Sequence, residues 1–205
     1  MKILAIGAHP DDIEFGCGGT LIKYGLKGHD IYLLVMTEGG MGGNQAERRQ
    51  EQEEAAQLLG ARELFWGGYE DTEISNDRDL IAKIEGILQR IKPDLIFVHW
   101  GDDTHQDHRH LTTSVTSASR YTRNVLLYEG PTTGNFSPSV FVDINAVLER
   151  KLQALKAHAS QIGKTGVEEL SVLNLAQAAA HFRGVQGRVR NAEGFMPLRL
   201  FINVD

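Results

Sequence analysis

The stretch Lys2-Ile3-Leu4-Ala5-Ile6-Gly7-Ala8-His9-Pro10-Asp11-Asp12 predicts both the fold class and the place of the functional site. After Lys2, residues 3–8 form a short apolar run, and residues 2–8 are predicted to be a buried strand. One imidazole and two carboxylates follow directly, and burying such groups at a strand end costs free energy unless a cation or a partner compensates them. We therefore expect a metal site at the carboxyl end of the first strand.

Apolar runs alternate with segments of helical period along the chain, which predicts a Rossmann-like α/β fold. We expect a mostly parallel sheet with helices on both faces, in a single domain over residues 1–205. The predicted strands are residues 2–8, 31–36, 63–66, 94–98, 125–129 and 139–143, and residues 198–204 are predicted as an edge strand or a tail. The predicted helices run from about 16 to 27, over 45–59, from 77 to about 90, from 145 to 160 and over 170–182. Residues 39–43 are too rich in glycine for regular structure and predict a loop.

A second polar cluster follows the apolar run 94–98, in the sequence Gly101-Asp102-Asp103-Thr104-His105-Gln106-Asp107-His108-Arg109-His110. In open α/β sheets, ligands bind outside the carboxyl ends of the strands, so both clusters are expected at one crevice. We assign His9, Asp12 and His108 as metal ligands. Two imidazoles and one carboxylate suit Zn²⁺ and leave a position for water, although these ligand types also accept Fe²⁺ or Co²⁺.

The remaining polar residues of the two clusters have the chemistry of a hydrolase. Asp11 shares the first cluster without having to be a ligand, and we predict that it is the general base. His105 is predicted to stabilise an oxyanion or to protonate a leaving amine. Asp107 is predicted to orient one of the histidines, with His105 as the expected partner. The roles of two further sets of residues are left open. One is an outer shell around the metal site, formed by His99, Asp102 and Asp103. The other is an aromatic wall that would stack on a sugar ring, formed by Trp66, Tyr69, Trp100 and Tyr128.

Composition excludes several other classes of protein. The 21 basic and 27 acidic residues give a net charge of −6, and without a basic block nucleic acid is not an expected partner. Cys17 is the only cysteine, which excludes an intramolecular disulfide and a cysteine-rich zinc module. The apolar stretches are too short for a signal peptide or a membrane span, so a soluble cytoplasmic protein is expected.

The chain resembles the LmbE / PIG-L zinc-dependent de-N-acetylases. The resemblance rests on Ala8-His9-Pro10-Asp11-Asp12, Gly16-Cys17-Gly18-Gly19-Thr20 and His105-Gln106-Asp107-His108. Thr37-Glu38-Gly39, Arg48-x-x-Glu51, His158-x-Ser160-Gln161 and Ala192-Glu193-Gly194-Phe195 agree further, so the resemblance covers nearly the whole length. The chain departs from the family at Gln106, where proline is usual, and at Ile13, but neither change removes a functional group.

Membership of this family implies hydrolysis of an N-acetyl group on a small molecule that contains N-acetylglucosamine. It implies the same roles for His9, Asp12, His108, Asp11 and His105 as the residues themselves suggest. It adds Arg48 as a residue near the substrate, and it implies a homo-oligomer, either a trimer or a hexamer.

Three other interpretations are compatible with parts of the sequence. A non-catalytic, metal-dependent sugar-binding or sensor module would use the same ligands but would not need the base Asp11. A phosphoesterase usually requires two metal ions. Glycines 16, 18 and 19 resemble part of a dinucleotide fingerprint, but the Gly-x-Gly-x-x-Gly spacing is missing and the carboxylates before them would repel a pyrophosphate.

Overall fold

A seven-stranded sheet forms the centre of the computed structural model, which describes residues 1–202. The strands are β1 (Lys2–Gly7), β2 (Asp30–Thr37), β3 (Glu63–Tyr69), β4 (Leu95–His99), β5 (Val125–Tyr128), β6 (Val140–Asp143) and β7 (Ala192–Arg199). Their order is β3-β2-β1-β4-β5-β7-β6. The first five strands run parallel, and β7 pairs antiparallel with both β5 and β6. The predicted mostly parallel sheet is confirmed.

Within residues 1–202, six α-helices cover the two faces of this sheet: α1 (Asp12–Leu26), α2 (Gln45–Leu59), α3 (Arg78–Ile91), α4 (Gln106–Ala118), α5 (Leu148–Ala157) and α6 (Val172–Gly187). On one face the apolar side chains of α1, α2, α5 and α6 form a buried cluster with the strands. On the other face α3 and α4 do the same. No helix in the described part of the chain is long and apolar enough to cross a membrane.

Helix α1 begins four residues earlier than predicted, at Asp12 rather than near Gly16. Gly16 and Gly19 lie inside the helix, where they allow α1 to pack very closely on the sheet and on its neighbours. A Cβ atom on Gly16 would lie only 2.1 Å from the Tyr128 ring, and one on Gly19 would lie 2.9 Å from Ile144. The earlier start places Asp12 in the first turn of the helix.

The predictions for the C-terminal third need two corrections. Strand β7 occupies residues 192–199 and lies between β5 and β6, whereas we predicted an edge strand or tail over 198–204, of which residues 203 and 204 lie outside the described part. The charged residue Glu193 interrupts the apolar pattern that would predict this strand. Burial of its carboxylate is compensated by Lys151 Nζ at 2.6 Å and by the N–H groups of Gly19 and Thr20. The helix predicted over 145–160 is shorter, with α5 flanked by two short 3₁₀ turns.

Candidate functional site

The two polar clusters meet at the carboxyl ends of neighbouring strands. His9 follows β1, whereas His105 directly precedes α4 in the connection from β4. Strands β1 and β4 pair in parallel, for example Ile3 with Leu95, so residues that follow them emerge at the same edge of the sheet.

Of the three predicted metal ligands, His9 and His108 are buried, and Asp12, whose side chain is largely covered, lies beside both. Asp12 lies between the two histidines, with Oδ2 3.5 Å from His9 Nδ1 and Oδ1 3.4 Å from His108 Nε2. The ring centroids of His9 and His108 are 5.4 Å apart. Within residues 1–202, neither buried ring nitrogen of His108 makes a hydrogen bond, and Nε2, the one that faces Asp12, is available to bind a cation. The imidazole and carboxylate donors suit a divalent metal such as Zn²⁺.

These donors can be combined in more than one way. Three groups of side chains place their potential ligand atoms within 4.8 Å of one another in the described residues. The groups are His9 with His105 and His108; His9 with Asp71, His105 and Asp107; and Asp12 with His99 and His108. The predicted ligands are thus divided between overlapping groups, and Asp71 is a candidate donor that the sequence did not reveal.

Asp103 orients His108 from outside this centre. Its Oδ2 atom lies 3.1 Å from His108 Nδ1, which leaves Nε2 facing Asp12. Burial would raise the pKa of Asp103, but His108, the backbone N–H of His105 and the Thr132 hydroxyl hold that pKa well below its ordinary range. Burial lowers the pKa of His108, and the carboxylates of Asp12 and Asp103 outweigh burial and raise it to about 9.

Of the two other residues considered for an outer shell of the site, His99 lies beside His108, whereas Asp102 lies on the surface. The His99 ring stacks on His108 at 3.9 Å, and its Nε2 atom accepts the Ala8 N–H at 3.2 Å. Burial and the neighbouring His108 lower the pKa of His99 to about 4, so the ring is neutral. Asp102 instead accepts a hydrogen bond from the Asn135 amide on the surface.

The predicted pairing of Asp107 with the ring of His105 is wrong. The Asp107 carboxylate lies 3.0 Å from His9 Nε2 and accepts the Thr72 N–H at 2.8 Å. His105 is the N-cap of α4, and its Nδ1 atom accepts the backbone N–H of Asp107 at 3.2 Å. Because the cap uses the imidazole of His105, the carboxylate in the first turn of α4 is free to reach the end of β1.

Asp71 approaches the same ring atom from the loop after β3. Its Oδ1 atom lies 3.0 Å from His9 Nε2, and its Oδ2 atom accepts the Met41 N–H at 2.9 Å. Burial lowers the pKa of His9, but the hydrogen bonds with Asp107, Asp12 and Asp71 outweigh it and raise that pKa well above its ordinary value. His9 is therefore held by carboxylates on several sides.

Asp11 has a different environment from its neighbour Asp12. Its backbone is left-handed, with φ 93° and ψ −22°, and its side chain is 26% exposed against 9% for Asp12. Burial and the charge of Asp12 raise the pKa of Asp11 to about 6, against the opposite influence of His158 and Arg48. Its carboxylate is therefore more basic than usual and can accept a proton near neutral pH.

Arg48 is buried at the wall of the site. Its guanidinium donates to the carbonyl oxygens of Gly39 at 2.7 Å and Pro10 at 2.9 Å, and it lies 3.8 Å from Asp11 Oδ2. The hydrogen bonds of Arg48 within the described chain thus connect the glycine-rich loop to the first polar cluster.

A cavity of about 420 Å³ opens onto these residues. It is lined by His9, Asp11, Asp12, Arg48, Asp71, His105 and His108, among others. Its apolar wall consists of Phe15, Met41, Pro131, Val172 and Leu175, and none of the four aromatic residues considered from the sequence lines it. A larger cavity of about 860 Å³ lies at the opposite ends of the strands, near Met1 and Asp94, and contains none of the predicted site residues.

Known proteins resemble this chain over most of its length. Residues 4–119 match the family model described as PIG-L, GlcNAc-PI de-N-acetylase. The uncharacterized deacetylase YaiS of Escherichia coli is 36% identical, covering 77% of this chain and 90% of its own length. The diacetylchitobiose deacetylase of Thermococcus kodakarensis is 30% identical over 96% of this chain and 83% of its own. The solved N,N'-diacetylchitobiose deacetylase of Pyrococcus horikoshii superposes with a TM-score of 0.86 at 29% identity, covering 96% and 83% of the two chains.

Proposed function

Because the chain belongs to the PIG-L (GlcNAc-PI de-N-acetylase) family, we propose that it hydrolyses the N-acetyl group of a small molecule that contains N-acetylglucosamine. One observation carries the proposal. A basic carboxylate, Asp11, lines the same cavity as His9, Asp12 and His108. A binding module would use the ligands alone, whereas amide hydrolysis also needs a group that removes a proton from water.

In this proposal His9, Asp12 and His108 hold one divalent cation, with Zn²⁺ as the expected ion. When bound, the cation supplies a Lewis acid that polarises the acetyl carbonyl and makes water more acidic. Asp103 and Asp107 orient the rings of His108 and His9 and so keep the ligand nitrogens in place. Arg48, at the cavity wall, contacts the sugar.

The chain's own groups then move the protons. A carboxylate oxygen of Asp11 takes a proton from water as the water oxygen bonds to the acetyl carbon. His105 Nδ1 accepts a backbone N–H, so in the neutral ring the proton is on Nε2, which donates a hydrogen bond to the carbonyl oxygen as it becomes an oxyanion. Burial and the neighbouring histidines lower the pKa of His105, which favours that neutral form. The C–N bond breaks as the carboxyl group of Asp11 gives this proton to the departing nitrogen, and the acetic acid that forms loses its own proton to solvent and leaves as acetate.

Acetate release from a panel of N-acetylated sugar conjugates tests this function. The purified protein is loaded with Zn²⁺ and assayed against conjugates that differ in the group attached to the sugar, with matched phosphate esters beside them. Acetate is the expected product. Binding without acetate release would support a sugar-binding module, and phosphate release would support a phosphoesterase. Sedimentation of the same sample measures the number of chains in the assembly, for which we propose a trimer or a hexamer.

A further inference from the structure

The peptide unit between Pro10 and Asp11 is held at both of its polar ends by one face of α2. Arg48 Nη2 donates to the Pro10 carbonyl at 2.9 Å, and Gln52 Oε1 accepts the Asp11 N–H at 3.3 Å. Residues 48 and 52 are four apart in α2 and therefore lie on the same side of the helix. Both are buried, Arg48 at 4% exposure and Gln52 at 0%.

This peptide unit precedes a strained residue. Asp11 has φ 93°, a conformation that residues with a Cβ atom rarely adopt, and such residues persist only where the surrounding structure holds them. At Asp11 the strain has a consequence for function, because the backbone angles at residue 11 set the direction in which its carboxylate leaves the chain. The neighbour Asp12 is already in α1 and faces the histidines.

We propose that Gln52 is a positioning residue for Asp11: with Arg48 it clamps the Pro10–Asp11 peptide so that the carboxylate of Asp11 points into the cavity and not at the metal ligands. The inference rests on the proposed role of Asp11 as the base. Gln52 does not line the cavity, so it acts through Asp11 and not on the substrate.

A buried chain of polar groups behind Gln52 fixes the orientation of its amide. Gln52 Nε2 donates to Glu14 Oε1 at 2.8 Å, which leaves Oε1 as the only amide atom that faces Asp11. The other Glu14 oxygen lies 3.6 Å from His158 Nε2, and both Glu14 and His158 are at most 1% exposed. The Gln52 side chain therefore has one favourable arrangement, in which its oxygen accepts the Asp11 N–H.

Replacement of Gln52 by methionine tests this role, because methionine keeps the length and removes the acceptor. We expect kcat for acetate release to fall about 10- to 100-fold, as for a catalytic group displaced by about 1 Å, while KM and bound metal per chain stay within about twofold. Gln57→Met is the matched control, since Gln57 is exposed on the same helix, and its kcat should not change. A wild-type kcat in Gln52→Met, a change confined to KM, or loss of metal would each overturn the inference.

If Gln52→Met does not fold, an exchange of the carboxylate and the amide between positions 14 and 52 tests the same role. Gln52→Glu alone sets a second carboxylate against Glu14, and we expect a loss of kcat of about tenfold or more. Glu14→Gln combined with Gln52→Glu restores one donor and one acceptor, and kcat should return to within about threefold of wild type. A double variant as slow as the single one would overturn the inference. A wild-type protein that releases no acetate from any conjugate would instead contradict the proposed function itself.

Discussion

The Oδ2 atom of Asp107 lies 3.0 Å from Nε2 of His9, although 98 positions of sequence separate the two residues. The contact joins the polar group that follows β1 to the first turn of α4. Asp107 is completely buried, and the Thr72 N–H donates to the same oxygen. The two motifs therefore form one connected site, in which carboxylates fix the rings that are proposed to bind the metal.

Removing the carboxylate behind His108 should weaken metal binding without removing a ligand. In Asp103→Asn we expect the affinity for Zn²⁺ to fall about 10- to 100-fold, because Asp103 Oδ2 lies 3.1 Å from His108 Nδ1 and orients the ring. Competition with a chromogenic chelator measures this affinity. Asp102→Asn is the matched control, since Asp102 faces Asn135 on the surface, and an equal loss in both variants would refute the role of Asp103.

The left-handed backbone at Asp11 predicts an unusual order of stabilities. Asp11→Gly should be more stable than Asp11→Ala by about 1 kcal/mol, because glycine adopts φ 93° without the strain of a Cβ atom. Urea unfolding of both variants measures the difference.

An exposed position inside a regular helix is the control for that order. At Glu54 of α2, the alanine variant should be the more stable by about 1 kcal/mol, since glycine is the poorer helix former. The same order at both positions would mean that residue 11 is not held in a left-handed conformation.

The buried pair of His158 and Glu14 predicts a pH-dependent contribution to stability. Burial lowers the pKa of His158, but the Glu14 carboxylate outweighs burial and raises it above the ordinary 6.5. The folded protein therefore binds this proton more tightly than the unfolded chain. The stabilisation is fully present below pH 6.5 and is lost as pH rises through the higher folded-state pKa.

Urea unfolding of wild type and His158→Gln tests the sign of this effect. With metal removed, the difference in unfolding free energy should be larger at about pH 6 than at about pH 9. His181→Gln, an exposed position on α6, is the matched control. A difference that grows with pH would contradict the pairing.

Metal removal should lower the stability of the whole fold. An ion that binds only the folded protein stabilises it by about 2.7 kcal/mol at 100 times its dissociation constant. We therefore expect Zn²⁺ to raise the midpoint of thermal unfolding and a chelator to reverse the rise. His108→Ala should lose most of this response, and an undiminished response in that variant would place the ion elsewhere.

The sequence could predict that His9, Asp12 and His108 meet, because the segments after neighbouring parallel strands emerge at one edge of the sheet. It could not predict Asp71, which lies in the irregular segment after β3, where neither apolar periodicity nor a motif indicates its position. The predicted partner of Asp107 is wrong because the capping of α4 by His105 depends on backbone geometry, which the spacing of residues in the sequence does not show.

The errors in secondary structure have similar causes. Tertiary contacts compensate residues that look unfavourable in isolation, such as Glu193, which is buried in β7 beside Lys151. Helix α1 begins four residues before the predicted start near Gly16, and its glycines are required there by close packing against Tyr128 and Ile144. Neither contact can be predicted from the local sequence, because the contacting residues are far apart along the chain.

The most direct test of the central claim is a joint measurement of turnover and metal content in Asp11→Asn. Asparagine tolerates the left-handed backbone and removes only the basic carboxylate. We predict one Zn²⁺ per chain in both the wild type and the variant, with acetate release by the variant reduced at least about 100-fold. Loss of the metal would show that Asp11 is a ligand, and unchanged acetate release with the metal bound would show that it is not the base.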